Sequence, residues 1–196
     1  ENYTHPAMPQ RKGIEEEILK GMYLLKAGEK GDKKVQLMGS GVILNEVIKG
    51  AELLKNDFGV DADIWSVPSF NLLHRDAIEV ERYNRLHPLE EAKLPFVTRQ
   101  LQGYEGPVIA STDYIRSFAD RIRAYIPNDY HVLGTDGFGR SDSRANLRDF
   151  FEVDSRHVAV AALSALAEQG KVGKEVVQQA IEKYGIQTDT APSWKR

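Results

Sequence analysis

The sequence contains no cysteine, which excludes disulfide bonds, thiolate metal ligands and a cysteine nucleophile from the chain. This absence is typical of a reducing compartment, so we expect a cytoplasmic location. No apolar run approaches the roughly 18 residues that a membrane-spanning helix needs, and the polar first residues lack the apolar region of a signal peptide. The net charge is only -3 and the pI about 6.0, so we expect neither a nucleic acid nor a membrane as a partner.

Length and composition indicate a folded protein of moderate size. The 196 residues are 41% hydrophobic and 28% charged, a globular balance in a chain long enough to bury a core without cross-links. The first residue is glutamate rather than methionine, and we expect a fragment or a processed product. Because Pro6 and Pro9 lie in a polar stretch, we divide the chain into an extended arm at 1–12, one α/β domain at 13–186 and a tail at 187–196.

Hydrophobic periodicity predicts that strands and helices alternate along the chain. Short apolar or alternating runs that end at glycine or proline predict strands at 33–41, 60–70, 106–114 and 130–139. Apolar stripes at helical spacing predict helices at 11–28, 40–59, 71–88, 113–127, 141–152, 154–170 and 173–185. The segment 90–106 is less clear, and we interpret it as containing a short edge element. This order predicts a mostly parallel sheet covered by helices on both faces.

Single residues mark the ends and the inner faces of some predicted helices. Ser40 is placed to cap the helix at 40–59, and Gly59 is placed to end it in the left-handed conformation. In the helix at 113–127 the spacing turns a set of apolar side chains toward the core. They are Ile115, Phe118, Ala119, Ile122 and Ile126.

The stretch "HVLGTDGFGRSDSR" at 131–144 joins the last predicted strand to a helix. A strand, a glycine turn and a helix start can bind phosphate through converging backbone N–H groups. Here, however, Asp136 and Asp142 would bring negative charge to the anion. Arg140 and Ser141 stand where the Gly-Lys pair of a phosphate loop is needed. A tight turn with glycines at positive φ is a second interpretation, and a loop that docks on another domain or subunit is a third.

In the docking interpretation, Phe138 acts as an apolar knob, and Arg140 and Arg144 act as hydrogen-bond donors. The candidate docking residues are Asp136, Gly137, Phe138, Gly139, Arg140, Ser141, Asp142, Ser143 and Arg144.

Other candidate residues each have a structural explanation beside the functional one. The glycine turn at 38–44 precedes a helix and could bind an anion, but parallel sheets need tight turns in any case. His74 and His87 lie on a carboxylate-rich helix and could act in acid–base chemistry or belong to a solvated face. Asp113 follows a strand at the edge where open sheets bind ligands, whereas Thr112 or Asp113 could equally cap a helix. These residues do not form a complete catalytic set.

Several stretches resemble one known family. They are "ENYTHPAMP", "VQLMGSG", "DIWSVPSF", "ERYNRLHPLE", "ASTDY" and "VLGTDGFGRSDSRANLRDFFEVD". Together they resemble the C-terminal domain of the homodimeric, bacterial-type pyruvate dehydrogenase component of the pyruvate dehydrogenase complex, in the transketolase-like superfamily. The resemblance extends from Glu1 to about Gly185, and related transketolases share Phe138, Gly139 and Ser141 of the loop.

The resemblance implies a fold and a parent enzyme. The fold is a three-layer α/β sandwich, with a mixed, mostly parallel sheet of about five strands and helices on both faces. The parent binds thiamine diphosphate and Mg²⁺ between subunits through two other domains, decarboxylates pyruvate and reductively acetylates lipoyl groups. Its implied partners are the other domains, a second subunit and the dihydrolipoyl acetyltransferase, in a bacterial cytoplasm.

The residues that would bind the cofactor are missing from this chain. The cofactor motif of the superfamily is Gly-Asp-Gly followed by paired asparagines, whereas the nearest string here is "TDG" at 135–137 and no Asn-Asn occurs. We therefore assign no catalytic, cofactor-binding or metal-binding residue and expect the isolated chain to be inactive. The loop at 134–143 is then a docking and channel-lining element. Two alternatives remain open: a stand-alone assembly module, and a regulatory domain that binds a small molecule at its strand ends.

Overall fold

A computed structural model of the chain describes residues 4–29 and 31–196. Residues 1–3, where the predicted arm begins, lie outside the described residues, as does Lys30. A sheet of five strands forms the centre of the described part. Its strands are β1 (Tyr23–Lys26), β2 (Lys34–Gly39), β3 (Asp61–Ser66), β4 (Val108–Ser111) and β5 (Tyr130–Leu133).

Within the same ranges, eight α-helices surround the sheet. They are α1 (Ile14–Lys20), α2 (Leu44–Phe58), α3 (Phe70–Leu86), α4 (Phe96–Leu101), α5 (Arg116–Asp120), α6 (Arg144–Phe150), α7 (Ser155–Glu168) and α8 (Lys174–Tyr184). Short 3-10 turns lie at Gly41–Ile43, Arg123–Tyr125 and Ser193–Lys195. In this described part of the chain, no helix has both the length and the apolar character that crossing a membrane requires.

The sheet is mixed but mostly parallel. Its strand order is β1-β3-β2-β4-β5, in which β1 runs antiparallel to β3 and the other neighbours are parallel. The register pairs Gly39 at the end of β2 with Ser66 of β3 and with Ser111 of β4. β3, which follows β2 in the chain, lies on one side of β2, and β4 lies on its other side. The carboxyl ends of β2 and β4 therefore flank a topological switch point.

Each face of the sheet carries a hydrophobic core. On one face α2 and α7, the latter through Leu163, pack over Leu37 and Ile109 of the sheet, and α8 packs against α7. On the other face α3, α4 and α5 cover Trp65 of β3, and Val97 of α4 is buried in the same cluster. Because both faces are buried, β2 and β4 are apolar along most of their length rather than alternating. The three-layer sandwich expected from the sequence is confirmed.

The long helix after β2 is confirmed, but its start differs from the prediction. A 3-10 turn at Gly41–Ile43 leads into α2, and Ser40 makes no side-chain cap to it. Instead, Ser40 Oγ donates a buried hydrogen bond to Thr112 Oγ1 at 2.8 Å, which ties the ends of β2 and β4 together. Gly59 ends α2 in the left-handed conformation with φ 63°, as predicted.

The predicted helix at 11–28 is wrong in its second half. α1 ends at Lys20 because Gly21 adopts φ 106°, and the chain then turns into β1. A side chain at position 21 would place its Cβ 2.6 Å from the carbonyl oxygen of Ser69, so this turn requires glycine. The strand has only four residues, and its pairing with β3 determines its structure.

The segment 90–106 contains a helix rather than the predicted edge element. α4 follows Pro95, which is compatible with a helix start. Phe96, Val97 and Leu101 are buried against the second core. The helix has six residues, which is too short for helical periodicity to identify it.

The predicted helix at 113–127 is also interrupted. α5 ends at Asp120, and a 3-10 turn follows it. The Arg123 side chain bonds to Asp120 and to the Tyr130 carbonyl oxygen, so the chain turns toward β5. Two of the side chains predicted to face the core are therefore partly exposed, Ile115 at 46% and Phe118 at 36%. The other three are buried as predicted: Ala119, Ile122 and Ile126.

Candidate functional site

The loop that carries the candidate docking residues leaves β5 along a fixed path. The Thr135 backbone N–H donates to the Tyr114 carbonyl oxygen at 2.9 Å, and Thr135 Oγ1 donates to the Asp113 carbonyl oxygen at 2.6 Å. Gly134 is required here because a Cβ would lie 2.8 Å from the Tyr114 carbonyl oxygen. The loop therefore begins against the segment that follows β4, at the carboxyl edge of the sheet.

Asp136 connects this loop to two other parts of the chain. Its Oδ1 accepts a hydrogen bond of 3.0 Å from the Arg116 backbone N–H at the start of α5. Its carbonyl oxygen accepts one of 2.6 Å from Ser193 Oγ in the last 3-10 turn. Ile115 stands at the N-cap of α5 and cannot satisfy the first amides. Asp136, rather than Thr112 or Asp113, thus caps the start of α5.

Gly137 and Phe138 form the tip of the loop. Gly137 has φ 110°, and a Cβ there would lie 3.0 Å from Trp194 Cα, so the C-terminal turn packs against its backbone. Phe138 is 89% exposed. Single exposed hydrophobic residues are common on protein surfaces, so the docking role of Phe138 stays a prediction.

Arg140 lies between the C-terminal turn and α6. Its guanidinium contacts the Arg196 carbonyl oxygen and lies 5.0 Å from the centroid of the Phe150 ring. Arg196 lies 4.7 Å from the same centroid and donates to the Phe150 carbonyl oxygen at 3.1 Å. The last residues of the chain therefore pack on the loop and on α6. The division into arm, domain and tail stays a prediction.

The remaining candidate residues shape the start of α6. Asp142 Oδ1 accepts from the Ser143 backbone N–H at 2.6 Å and from Asn146 Nδ2 at 2.8 Å. Ser143 Oγ accepts from the Asn146 backbone N–H at 3.3 Å. Ser141 and Arg144 are exposed beside them. These bonds use amide donors that a bound phosphate would need, so the geometry favours a capped turn over a phosphate loop.

A cavity of about 300 Å³ lies between this loop and α6. Its lining includes Gly137, Gly139, Arg140 and Arg144 from the candidate set. Asp113, which follows β4 at the carboxyl edge of the sheet, also lines it. The sequence could not show that these segments line one space, because only the sheet topology brings them together.

The structure does not bring the two candidate histidines of α3 to this cavity. In the described part of the chain, neither His74 nor His87 is among the lining residues. The ring of His87 stacks on Tyr83 at a centroid distance of 4.1 Å, and its Nδ1 lies 2.9 Å from the Tyr83 carbonyl oxygen. The same helix carries an ion pair between Arg85 and Glu81 at 3.7 Å. This arrangement supports the interpretation as a solvated helix face.

Asp149, Asp154 and His157 form a cluster whose ligand atoms lie within 4.8 Å of one another. Arg156 bonds to Asp149 at 2.5 Å and to Asp154 at 2.6 Å, and Asp154 also caps α7 by accepting from two backbone N–H groups. Burial opposes ionisation of Asp154, but hydrogen bonds from His157 and Arg156 outweigh it and hold its pKa below the usual value. The guanidinium already balances these carboxylates, so the cluster does not fit a Mg²⁺ ion.

Comparison with known proteins establishes the family. The model of the transketolase-like TK C-terminal domain matches residues 21–154, and the chain belongs to this family. The pyruvate dehydrogenase E1 component of Pseudomonas aeruginosa is 58% identical over 188 residues, which cover 95% of this chain and 21% of that protein. The Escherichia coli pyruvate dehydrogenase E1 component is 52% identical over 190 residues, which cover 96% of this chain and 21% of that protein. The chain thus spans about a fifth of the length of the curated relatives it matches.

Solved structures agree on the fold. A transketolase from Pichia stipitis, in complex with sedoheptulose 7-phosphate, matches with a TM-score of 0.53 and 18% identity, covering 83% of this chain and 20% of that chain. A split-gene transketolase, solved as an inactive tetramer of four β subunits, matches with a TM-score of 0.50 and 16% identity. The match covers 76% of this chain and 43% of that chain. The family resemblance in the sequence and the predicted fold class are both confirmed.

Proposed function

We propose that this chain is the C-terminal domain of a pyruvate dehydrogenase E1 component in the bacterial cytoplasm. The observation that carries the proposal is the 58% identity with the Pseudomonas aeruginosa protein over 95% of the chain. The whole enzyme would be an oxidoreductase. It would decarboxylate pyruvate and reductively acetylate lipoyl groups on a dihydrolipoyl acetyltransferase.

Within that enzyme, the role of this domain is structural rather than catalytic. Thiamine diphosphate and Mg²⁺ belong to the other domains, because this chain lacks the Gly-Asp-Gly and Asn-Asn motif. The acidic cluster at Asp149, Asp154 and His157 gives no alternative metal site, since Arg156 occupies it. The domain would support the assembly of a homodimer and one side of its cleft. Calorimetric titration of the isolated chain with thiamine diphosphate tests this division, and binding at micromolar concentration would overturn it.

The loop at 134–143 is the proposed contact with the other domains or the second subunit. Its backbone is fixed at Thr135 and Asp136 by hydrogen bonds to neighbouring segments. The exposed Phe138 ring therefore projects from an anchored loop. Because the backbone of the loop is already held in place, burying the ring in an interface costs little additional conformational freedom. Aromatic side chains presented in this way are common at the centre of protein interfaces.

The experiment is the substitution Phe138→Ala in the full-length enzyme, followed by measurement of the dimer dissociation constant, kcat and the KM for pyruvate. We expect weaker dimerisation or a lower kcat/KM, because the ring would no longer be buried against a neighbour. Leu89→Ala is the matched control, since Leu89 is 99% exposed in the connection between α3 and α4. If the two variants behave alike and like the wild type, Phe138 is not a docking residue.

Arg140→Ala is a second variant, for which both dimerisation and the melting temperature of the domain are measured. Arg140 also contacts the C-terminal turn and α6, so its replacement affects the domain itself. Melting temperature therefore accompanies the kinetic measurements. A loss of dimerisation at an unchanged melting temperature supports the docking role, and a lower melting temperature with unchanged dimerisation assigns Arg140 to the fold alone.

A further inference from the structure

The 3-10 turn at Ser193–Lys195 is seated on the start of the loop that follows β5. Ser193 Oγ donates to the Asp136 carbonyl oxygen at 2.6 Å. A Cβ at Gly137 would lie 3.0 Å from Trp194 Cα and 3.2 Å from the Ser193 carbonyl oxygen, so the two backbones are in close contact. Ser193 is buried, whereas Pro192 is half-buried and Trp194 is exposed. The serine is therefore the point at which this turn is anchored to the loop.

Arg196, directly after the turn, contacts the far end of α6. Its guanidinium lies 4.7 Å from the centroid of the Phe150 ring and donates to the Phe150 carbonyl oxygen at 3.1 Å. This carbonyl belongs to the last turn of α6, where carbonyl groups have no partner within the helix. The same guanidinium lies 3.4 Å from Glu152 Oε1. Four consecutive residues thus hold both ends of the segment 136–152.

Glu152 has a backbone conformation that needs support from its surroundings. Among the described residues it is the one non-glycine residue in the left-handed region, with φ 58°. It follows α6 at a position where glycine is usual, because a Cβ makes this conformation unfavourable. Such a residue persists where neighbouring contacts hold it. Its N–H donates to the Asp149 carbonyl oxygen at 3.1 Å, and Arg196 contacts its carboxylate. Arg196 therefore stabilises a strained end of α6.

An exposed tether connects the turn to α8. The helix is closed by Gly185, which has φ 65° and donates its N–H to carbonyl oxygens of the last turn. Residues 187–191 are exposed, and the hydrogen bond from Thr190 Oγ1 stays within them, at the Gln187 carbonyl oxygen. The end of α8 is therefore complete without the turn. A segment held by a few contacts at the surface can open locally while the domain stays folded.

We infer that residues 187–196 form a releasable strap. Its docked turn clamps the start of the loop at 136–137 and the end of α6 at 150–152 as one unit. Because the two anchor points are neighbours in the sequence, loss of one lowers the occupancy of the other. Release of the strap frees the loop and the strained Glu152 together, whereas the sheet and its two cores remain folded. Strap docking thus determines whether Phe138 is presented in a fixed position.

Arg196→Ala in the full-length protein that contains this chain tests the coupling. The substitution removes the contact with the end of α6 and leaves the Ser193 hydroxyl in place. We expect amide hydrogen exchange to accelerate at 136–137 as well as at 150–152, by roughly fivefold or more, the factor for about one hydrogen bond. Lys195→Ala is the matched control, because Lys195 is an exposed residue next to Arg196. Mass spectrometry reads both regions in one sample.

The pattern of exchange distinguishes one strap from two separate contacts. Acceleration confined to 150–152 would show that the anchors act independently and would overturn the inference. The same holds for no acceleration, or for equal acceleration in Lys195→Ala. Acceleration that extends to β2 and α7 would also overturn it, since the segment would then unfold together with the cores of the domain.

A variant that ends at residue 186 removes the strap as a whole. We expect it to fold, with faster exchange in the same two regions and unchanged exchange in β2 and α7. Glu152→Gly in this background relieves the left-handed strain and should slow exchange at 150–152 again, but not at 136–137. Failure of the shortened variant to fold, or no slowing by the glycine, would contradict the inference. The readout lies within this domain, so the result is independent of whether Phe138→Ala changes dimerisation.

Discussion

Ser193 Oγ donates a hydrogen bond of 2.6 Å to the carbonyl oxygen of Asp136, so the end of the chain holds the loop that follows β5. Through its carboxylate the same aspartate accepts from the Arg116 backbone N–H at 3.0 Å. The loop is thereby fixed between α5 and the C-terminal turn. A loop anchored on both sides can present Phe138 and Arg140 in a defined position.

Removal of the Ser193 hydroxyl should loosen this loop. In Ser193→Ala we expect faster amide hydrogen exchange at residues 136–140 and a loss of about 0.5–1.5 kcal/mol of stability, the usual contribution of one hydrogen bond. Ser141→Ala is the control because Ser141 is an exposed residue of the same loop. Hydrogen exchange followed by mass spectrometry measures both. Identical exchange in the two variants would show that the C-terminal turn does not hold the loop.

Gly137 and Gly139 should respond differently to the same substitution. Gly137→Ala places a Cβ 3.0 Å from Trp194 Cα in a residue with φ 110°, so we expect destabilisation of roughly 1–3 kcal/mol. Gly139→Ala enters open space and should be neutral or slightly stabilising. Urea denaturation of both variants measures the difference. Equal stability would mean that the C-terminal turn does not pack on Gly137 as described.

Periodicity identified the elements whose burial is continuous over several turns. Leu44, Val47 and Leu54 form the buried stripe of α2, and this stripe is visible in the sequence because a surface helix buries one face. β1 and α4 could not be found in this way, since they have only four and six residues and are stabilised by their neighbours. Tertiary contacts override local preference in such short segments.

The candidate site was only partly predictable for a related reason. The glycines of the loop marked it in the sequence, and Ser143 of the candidate set caps α6, as a serine before a helix often does. It could not show that Val42, Asp113 and Val153 line a cavity together with this loop. These residues follow different strands or precede a helix, and only the strand order β2-β4-β5 brings them together.

Gln36 provides a test of the buried polar network beneath the sheet. It is fully buried, accepts from Trp65 Nε1 at 2.9 Å and donates to Asp63 Oδ2 and to the Glu105 carbonyl oxygen, both at 2.9 Å. Gln36→Leu would leave the indole N–H and the carbonyl unpaired, and we expect a loss of about 1–3 kcal/mol. Gln178→Leu on the exposed face of α8 is the control. Similar unfolding free energies for the two variants would contradict the network.

Asp154 should make the stability of the domain depend on pH. Its pKa in the folded protein lies below the ordinary value of 3.8, because hydrogen bonds from His157 and Arg156 outweigh the effect of burial. The folded state therefore binds this proton more weakly than the unfolded state does. The stabilisation is fully present above pH 3.8, the ordinary value, and it is lost as the pH falls through the folded pKa.

Asp154→Asn keeps a side-chain oxygen that can cap α7 but removes the charge. We expect this variant to be less stable than the wild type near neutral pH by roughly 1 kcal/mol, and the difference should shrink as the pH falls below about 4. Asp149→Asn is the control, since Asp149 is 54% exposed and bonds to the same guanidinium; its effect should be smaller. Urea denaturation across this pH range measures both. A difference between Asp154→Asn and the wild type that is constant with pH would show that the charge of Asp154 does not stabilise the fold.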